Sequence, residues 1–364
     1  MEEKYVTPYQ SKIFQTILAW LLRKQSERSH HVFSDLPVVL STDIGLKRQQ
    51  NQDRVVALRI RGKQKNEPPL AVVVLADGMG GMQDGADCAA IAIASFLHAI
   101  VENPDNRLEN KVRSAINFAN RNVFSFASGD GGTTLSALVY RSSKEAFIAN
   151  VGDSRIYSWG AGTHVERLTV DDSLEEAVGG HGRELLQFIG MGDGIRPHIM
   201  PLDPTANQIA LTTDGIHFID PSTLYRIFLN TNDPKSLVER LSALSRWCGG
   251  HDNASIAYVN IRQLEALPEH ASDLISLADP FGALSLVPIP NVSPPVAAAS
   301  PPKEQSHPNR NPDKPKPSRA SKRKTLPRST KKSKKELESN EEENIQLEIK
   351  IESSGIPNER NNDQ

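Results

Sequence analysis

Cysteine is almost missing from this sequence of 364 residues, in which Cys88 and Cys248 are the whole complement. Two thiols cannot build a disulfide framework, which points to a reducing, cytoplasmic setting. Aromatic residues make up only 5%. No uninterrupted apolar run reaches the length of about 18 residues that a membrane-spanning helix needs. The best stretch near the N-terminus, Ile13 to Leu22, is broken by Gln15 and Thr16. No transmembrane segment is therefore expected. Glu2 and Glu3 stand where a secretory signal would carry basic residues, so no signal peptide is expected either. The phosphate-cradling Gly-Lys-Ser/Thr loop and the zinc-binding His-Glu-x-x-His helix are both absent, which weighs against a P-loop nucleotidase and a zinc hydrolase. In Gly78-Met79-Gly80-Gly81-Met82-Gln83, Gln83 replaces the third glycine of a dinucleotide-binding fingerprint.

What is present suits one sizeable globular domain with extensions: 38% hydrophobic residues, 24% charged residues and a formal net charge of -2. The neutrality conceals a segregation. Between Lys303 and Lys335 thirteen lysines and arginines face only Glu304 and Asp313, leaving an acidic body with a basic tail. Composition divides the chain into an N-terminal extension over 1–36 with one amphipathic helix, a strand-rich domain over 37–262, a short linker over 263–284 and a Pro/Lys-rich tail over 285–364. With few apolar groups to offset ordering entropy, the tail is expected to be disordered. Ile345 to Ile351 is its one alternating stretch. The tail has the charge for non-specific binding to nucleic acid or an acidic surface, or for folding back on the acidic body. It lacks the interleaved aromatics that base stacking needs.

Short apolar runs bounded by Gly, Asp, Asn and Pro predict strands at Val55–Ile60, Leu70–Ala76, Thr133–Tyr140, Ala146–Val151, Arg155–Trp159, Gln208–Thr212 and Ala254–Ile261. Helical spacing joins Ile13, Ile17, Leu18, Leu21 and Leu22 on one face. It also joins Ala86, Ala89, Ala90, Ile93, Phe96, Leu97 and Ile100 on a second face, and Val112, Ile116, Ala119, Val123 and Phe124 on a third. Leu237 to Cys248 is a further helix candidate. Strands outnumber helices and come in adjacent runs, which favours an α+β layered domain with antiparallel sheets.

Four aspartates share one local position. Asp53 and Asp252 precede strands, while Asp77 and Asp214 follow them. Each alone reads equally as a turn or cap residue, and Asp77-Gly78 and Asp214-Gly215 as hairpin turns. However, Asp77-Gly78-Met79-Gly80-Gly81 leads from a strand into a helix, so it does not close a hairpin. If the strand ends converge, oxygen-only ligands without His or Cys call for hard cations such as Mg²⁺ or Mn²⁺. Paired ions of that kind ready a water molecule for in-line attack on phosphorus.

As an ordered set these residues resemble the metal-dependent protein phosphatases of type 2C. The resemblance rests on Gly45-x-x-Arg48-x-x-Asn51-Gln52-Asp53, Asp77-Gly78-Met79-Gly80-Gly81, Gly132-Thr133-Thr134, Asn150-Val151-Gly152-Asp153-Ser154-Arg155, Leu168-Thr169-x-Asp171-Asp172-Ser173, Thr213-Asp214-Gly215 and Asp252-Asn253. It covers about residues 40–262. The resemblance implies a four-layer αββα sandwich, two antiparallel sheets flanked by helices, with two Mn²⁺ or Mg²⁺ ions at one edge. It implies that Asp77 bridges both ions and that Gly78 offers a carbonyl to one of them. Asp214 and Asp252 would hold the other, and Asp53 would serve as a direct or water-mediated ligand. Arg48 takes the place of the arginine that binds substrate phosphate, a task suited to its planar fork. Asp130 is the nearest candidate for a third metal, at an offset unlike the family's, with a turn residue as the alternative.

The implied reaction is hydrolysis of phosphoserine or phosphothreonine in proteins by a metal-bridging hydroxide, with no phosphoenzyme intermediate. The implied partners are a phosphorylated protein and a cognate serine/threonine kinase. Met79 stands where some members carry a histidine proposed as general acid, and bacterial members commonly carry a methionine there. Asp153 is expected to be structural, accepting backbone N–H groups in its turn, and His217 and His251 to be ordinary polar residues. Two other functions compete: a catalytically weak or dead phosphoprotein-binding relative, and a two-metal nuclease that uses the basic tail.

Overall fold

Residues 11–61, 68–79, 84–160, 164–179, 182, 184–267, 275–288 and 347–353 are described by the computed structural model. Their strands pair into two antiparallel sheets. The six-stranded sheet runs β1 (Arg28–Phe33), β2 (Val38–Asp43), β11 (Ala254–Asn260), β10 (Gln208–Thr212), β7 (Arg155–Trp159) and β8 (Val165–Arg167). The eight-stranded sheet runs β14 (Leu347–Ser353), β13 (Gly282–Pro288), β12 (Ile275–Asp279), β3 (Arg54–Ile60), β4 (Leu70–Ala76), β5 (Leu135–Ser142), β6 (Glu145–Val151) and β9 (His198–Pro201).

Alternation along each strand produces the layers. In β3, Val55 and Ala57 face inward and meet Leu40, Ile156, Leu211 and Ala257 of the other sheet. Their neighbours Val56 and Leu58 face outward against helices α1 (Lys12–Leu22), α2 (Gly85–Glu102) and α3 (Leu108–Ala127). On the far side, α6 (Pro221–Asn230) and α7 (Pro234–Trp247) lay Leu224, Phe228 and Leu241 on Tyr157, Trp159 and Ile256. Helix, sheet, sheet and helix thus form the expected αββα order. β4, buried along its whole length, has both faces covered. The starts of α6 and α7 are written locally: Asp220 and Asp233 cap them through their carboxylates, each followed by a proline at the first helical position. Three short helices complete the described set: α4 (Leu174–Val178), α5 (Asp214–His217) and α8 (Ile261–Glu265).

All seven predicted strands form, within two residues at either end. The domain limits need correction. Of the expected extension over 1–36, residues 11–36 are part of the domain, because α1 buries Phe14, Ile17, Trp20 and Leu21 in the core and β1 belongs to the six-stranded sheet. Each such side chain contributes roughly 1.5–3 kcal/mol by leaving water. The buried face also differs from the predicted one, since Leu22 is exposed and Phe14 and Trp20 take its place. In α3, Phe124 is likewise exposed.

The stretch 263–284 is no linker, since it contains the end of α8, all of β12 and the start of β13. β12 pairs with β3 and β13 with β12. Arg23, just past α1, stacks on Trp20 at 3.6 Å and forks onto buried Asp279 of β12 at 2.6 and 2.8 Å, locking helix to sheet. Within 285–364, the start of that stretch continues β13, and Leu347–Ser353 returns as β14 along it, with Pro288 opposite Leu347. The remainder of the stretch, including the basic run 303–335, lies outside the described residues, as do Gly80 and Gly81.

By length and composition, α2 is the one described helix that meets the requirements for crossing a membrane. It is packed into the core, with Cys88, Ile93, Phe96 and Leu97 fully buried.

Candidate active site

The register of each sheet brings the four aspartates together in pairs. Arg54 lies opposite Ala76, which sets Asp53 and Asp77 side by side at one end of the eight-stranded sheet. In the other sheet Thr212 pairs with Ile256, which sets Asp214, the first residue of α5, near Asp252. Polar residues then stitch the two ends. Buried Thr213 donates its hydroxyl to Asp53 Oδ2 at 3.0 Å and accepts the Ser255 backbone N–H at 2.9 Å. The Gln52 N–H donates to Asn253 Oδ1 at 2.8 Å, while Asn253 Nδ2 donates to the carbonyls of Ile44 and Gln50. Close approach here requires glycine. A Cβ on Gly215 would lie 2.0 Å from the Asn253 carbonyl, and one on Gly78 would lie 2.3 Å from that of Gly85.

Asp77 is held by its backbone, leaving its carboxylate to face the cluster. Its N–H donates to Thr134 Oγ1 at 2.9 Å, and its carbonyl accepts from the Thr134 N–H and from the Thr133 hydroxyl at 2.7 Å. Thr134 Oγ1 also shares a hydrogen bond with Ser154. Gly78 bridges to Thr133, which keeps the turn after β4 against the start of β5.

Burial drives the Asp77 carboxyl well above the usual range, and the charges of Asp53, Asp214, Asp153 and Asp252 push it further. Asp53 is raised for the same first reason; hydrogen bonds from Ser255 and Thr213 relieve it, and Asp252 opposes them. Both groups are therefore poised to give up a proton to a cation. Asp53 Oδ1 is buried and accepts no hydrogen bond. An orphaned carboxylate oxygen among three further carboxylates, with no thiolate or imidazole in the set, fits a hard divalent cation. Among the described residues, no three acidic, imidazole or thiolate groups already converge on one point. The carboxylates would draw inward around an ion.

Arg48 lies at the mouth. Its Nη2 donates to Asp252 Oδ2 at 2.7 Å. That hydrogen bond, followed by the charges of Asp252, Asp214 and Asp77, strengthens its hold on its proton. The structure thus brings together Arg48, Asp53, Asp77, Gly78, Asp214 and Asp252. Asp130, the candidate for a third metal, is exposed in the turn after α3.

Asp153 is largely buried and accepts its own backbone N–H, as expected, but it does not cap the turn alone. The Gly152 turn is also capped by Asp172, whose Oδ2 accepts the Gly152 N–H at 2.9 Å and whose Oδ1 meets His198 Nε2 at 2.8 Å. Asp153 also adds its charge to Asp77, and burial together with Asp171 raises its own pKa to about 6. The hydroxyl and amide scaffold of Thr133, Thr134, Ser154, Thr213 and Asn253 has no assigned role in the sequence reading. Its one sequence signal is the placement of short polar side chains directly beside the aspartates. His217 is buried, hydrogen-bonded through Nδ1 to Thr212, and kept neutral by burial; His251 is exposed.

A sequence profile of the family described as Protein phosphatase 2C matches residues 47–255, more than half of the chain and every residue of this cluster. The chain belongs to the protein phosphatase 2C family. Among its relatives in the family is the protein phosphatase PhpP of Streptococcus pneumoniae serotype 2, 27% identical over an aligned length of 256, in a match that covers 64% of this chain and all of PhpP. The phosphatase 2C domain also resembles the PPM Ser-Thr phosphatase MsPP from Mycobacterium smegmatis, solved in complex with cacodylate. That match has 25% identity and a TM-score of 0.51, covering 63% of this chain and all of MsPP. The catalytic domain of PstP, solved in complex with two manganese ions, shares the fold at 24% identity and a TM-score of 0.51, over 61% and 96% of the two chains.

Proposed function

We propose that this protein hydrolyses phosphoserine and phosphothreonine in proteins, using Mn²⁺ or Mg²⁺ held by Asp53, Asp77, the Gly78 carbonyl, Asp214 and Asp252. The observation that carries the reading is that strand register sets four aspartates at neighbouring ends of two sheets, with Arg48 hydrogen-bonded to one of them and under the charge of two others, in a chain of the phosphatase 2C family. The manganese of PstP and the cacodylate of MsPP, a tetrahedral oxyanion, support the ion and the phosphate-like ligand.

When bound, such cations neutralise the carboxylates and acidify a water molecule for attack on phosphorus. The chain's own residues do the rest. Arg48 presents a fork to the phosphoryl oxygens and stabilises their charge as the ester bond breaks. An entering phosphoryl group competes with Asp252 for that guanidinium, so substrate capture frees an Asp252 oxygen toward the cluster. Thr213 and Ser255 fix Asp53, and Thr133 and Thr134 fix Asp77, holding the carboxylates in place without further reorganisation. Cys88 is no nucleophile, since burial raises its thiol to about 11. Met79 cannot donate a proton to the leaving alkoxide, so that proton comes from water. Free Cys88 and Cys248 fit a reducing cytoplasm, and the substrate implies a serine/threonine kinase that makes it.

The test is hydrolysis of a phosphothreonine peptide by the full chain with Mn²⁺ or Mg²⁺, abolished by EDTA and by Asp77→Asn. Peptide binding without turnover would favour a dead phosphoprotein-binding relative, and cleavage of DNA alone would favour a nuclease.

A further inference from the structure

Of the three tryptophans, Trp20 and Trp159 are buried at 7% and 3% exposure, while Trp247 is 89% exposed. A nearly bare tryptophan offers a large, flat apolar surface to a partner. Trp247 ends α7, and that end is anchored at the site. The Ser245 hydroxyl donates to the Gly215 carbonyl at 2.6 Å, one residue from Asp214. Arg246 pairs with buried Asp43 at the end of β2. The chain then turns through Gly249 and Gly250, both at positive φ, to reach Asp252. Trp247 faces away from the sheet, on the solvent side of α7.

Leu46 stands beside this turn. Its N–H donates to the Gly250 carbonyl at 2.8 Å, its side chain packs on Gly250, and it is 58% exposed. Arg48 follows two residues later. Two exposed apolar side chains thus lie close along the chain to Arg48 and Asp252, Leu46 two residues before Arg48 and Trp247 five before Asp252. The five residues from Trp247 to Asp252 span at most about 17 Å. An extended peptide covers that distance in about five residues.

We propose that Trp247 and Leu46 form a docking rim for an apolar residue within about five positions of the phosphoserine or phosphothreonine in a protein substrate. This rests on the function proposed above and names its substrate preference. Leu46 adjoins the exposed lysine, arginine and glutamines of 47–50, which would set the phosphate end of the same ligand in a polar setting. A flat aromatic surface costs little side-chain entropy when it is covered, which makes it an effective anchor.

The experiment measures kcat/KM of the full chain with Mn²⁺ on three esters. These are a phosphothreonine peptide with leucine and phenylalanine flanks, the same peptide with serine and glycine flanks, and p-nitrophenyl phosphate. The native protein is expected to prefer the apolar-flanked peptide. Trp247→Ala should lower the ratio of that peptide to p-nitrophenyl phosphate at least five-fold, through KM, and Trp247→Phe should retain most of it. In a second measurement, acrylamide quenching of the exposed Trp247 should weaken about two-fold when a non-hydrolysable phosphonate version of the apolar-flanked peptide is added with Mg²⁺. An unchanged ratio, a parallel fall on all three esters or unaltered quenching overturns the proposal. So does loss of a dimer in sedimentation with the ratio intact, which would assign Trp247 to a second copy of the chain. If the native protein hydrolyses none of the esters, the underlying function falls and takes the rim with it.

Discussion

Replacing Asp153 by asparagine should change the pH dependence of stability in a direction fixed by its surroundings. Burial, then the neighbouring charge of Asp171, raises the Asp153 carboxyl from 3.8 to about 6. A carboxyl whose pKa is raised by folding stabilises the native state below its unfolded pKa and loses that contribution as pH climbs through the folded value. The shift of about two units corresponds to roughly 3 kcal/mol at about 1.4 kcal/mol per unit. Asparagine has the same shape and does not titrate. Relative to the native protein, Asp153→Asn should therefore gain roughly 2–3 kcal/mol between pH 4 and pH 7. Urea unfolding in EDTA across that range reads the difference directly. Comparing variant with native protein removes the opposing contribution of His217, which burial keeps neutral and which favours higher pH in both proteins. A flat difference, or one that falls with pH, would refute the placement of Asp153 in a buried acidic environment.

Thr213→Val keeps the shape of a fully buried side chain while removing the donor to Asp53 and the acceptor for the Ser255 N–H. A loss of about 2–3 kcal/mol is expected, read as a fall in Tm of roughly 5–10 °C by calorimetry. Arg48→Ala should reduce kcat/KM on a phosphothreonine peptide roughly ten- to hundred-fold and Arg48→Lys should recover only part of it, because a point charge does not replace a fork; steady-state kinetics at saturating Mn²⁺ decides. Asp279→Ala leaves the Arg23 guanidinium without the buried carboxylate it forks onto. It should cost about 3 kcal/mol, and the Arg23→Ala/Asp279→Ala double variant should lose less than the sum of the two, as a double-mutant cycle by urea unfolding would show. Mn²⁺ binding should release protons from the raised carboxyls of Asp53 and Asp77. Its affinity should then rise with pH, and calorimetric titration in two buffers of different ionisation enthalpy measures the proton count.

Much of the site is legible in the sequence because the relevant signals are local. Asp53, Asp77, Asp214 and Asp252 each abut an apolar run that can only be a strand, and glycines at 78 and 215 mark places where the backbone must come close. The pairing of Asp172 with the Gly152 turn is not legible, since a neighbouring aspartate, Asp153, looks the better candidate and only the folded chain brings position 172 across. Phe14 and Trp20 in α1 carry no sign of which side will meet α2. The face with more aliphatic residues is the wrong guide when two aromatic rings fill more space. β1 escapes notice because Arg28, His30 and His31 make it read as polar, as an edge strand can be. The segment 263–284 reads as linker because its strands are short and β3, on which β12 pairs, lies more than 200 residues earlier.

Composition and periodicity determined the layered α+β class and the seven strands that form its centre, and the ordered motifs carried the resemblance that implied the family and the acidic residues at stake, because each of these depends on residues near one another along the chain. The layering of three cores, the return of residues 347–353 to the sheet edge, the scaffold of threonine, serine and asparagine around the carboxylates, and the bare tryptophan at the rim were decided only in three dimensions. Sheet register and burial are set by contacts between distant segments, and a linear pattern constrains which surfaces need partners without naming the partner each will find.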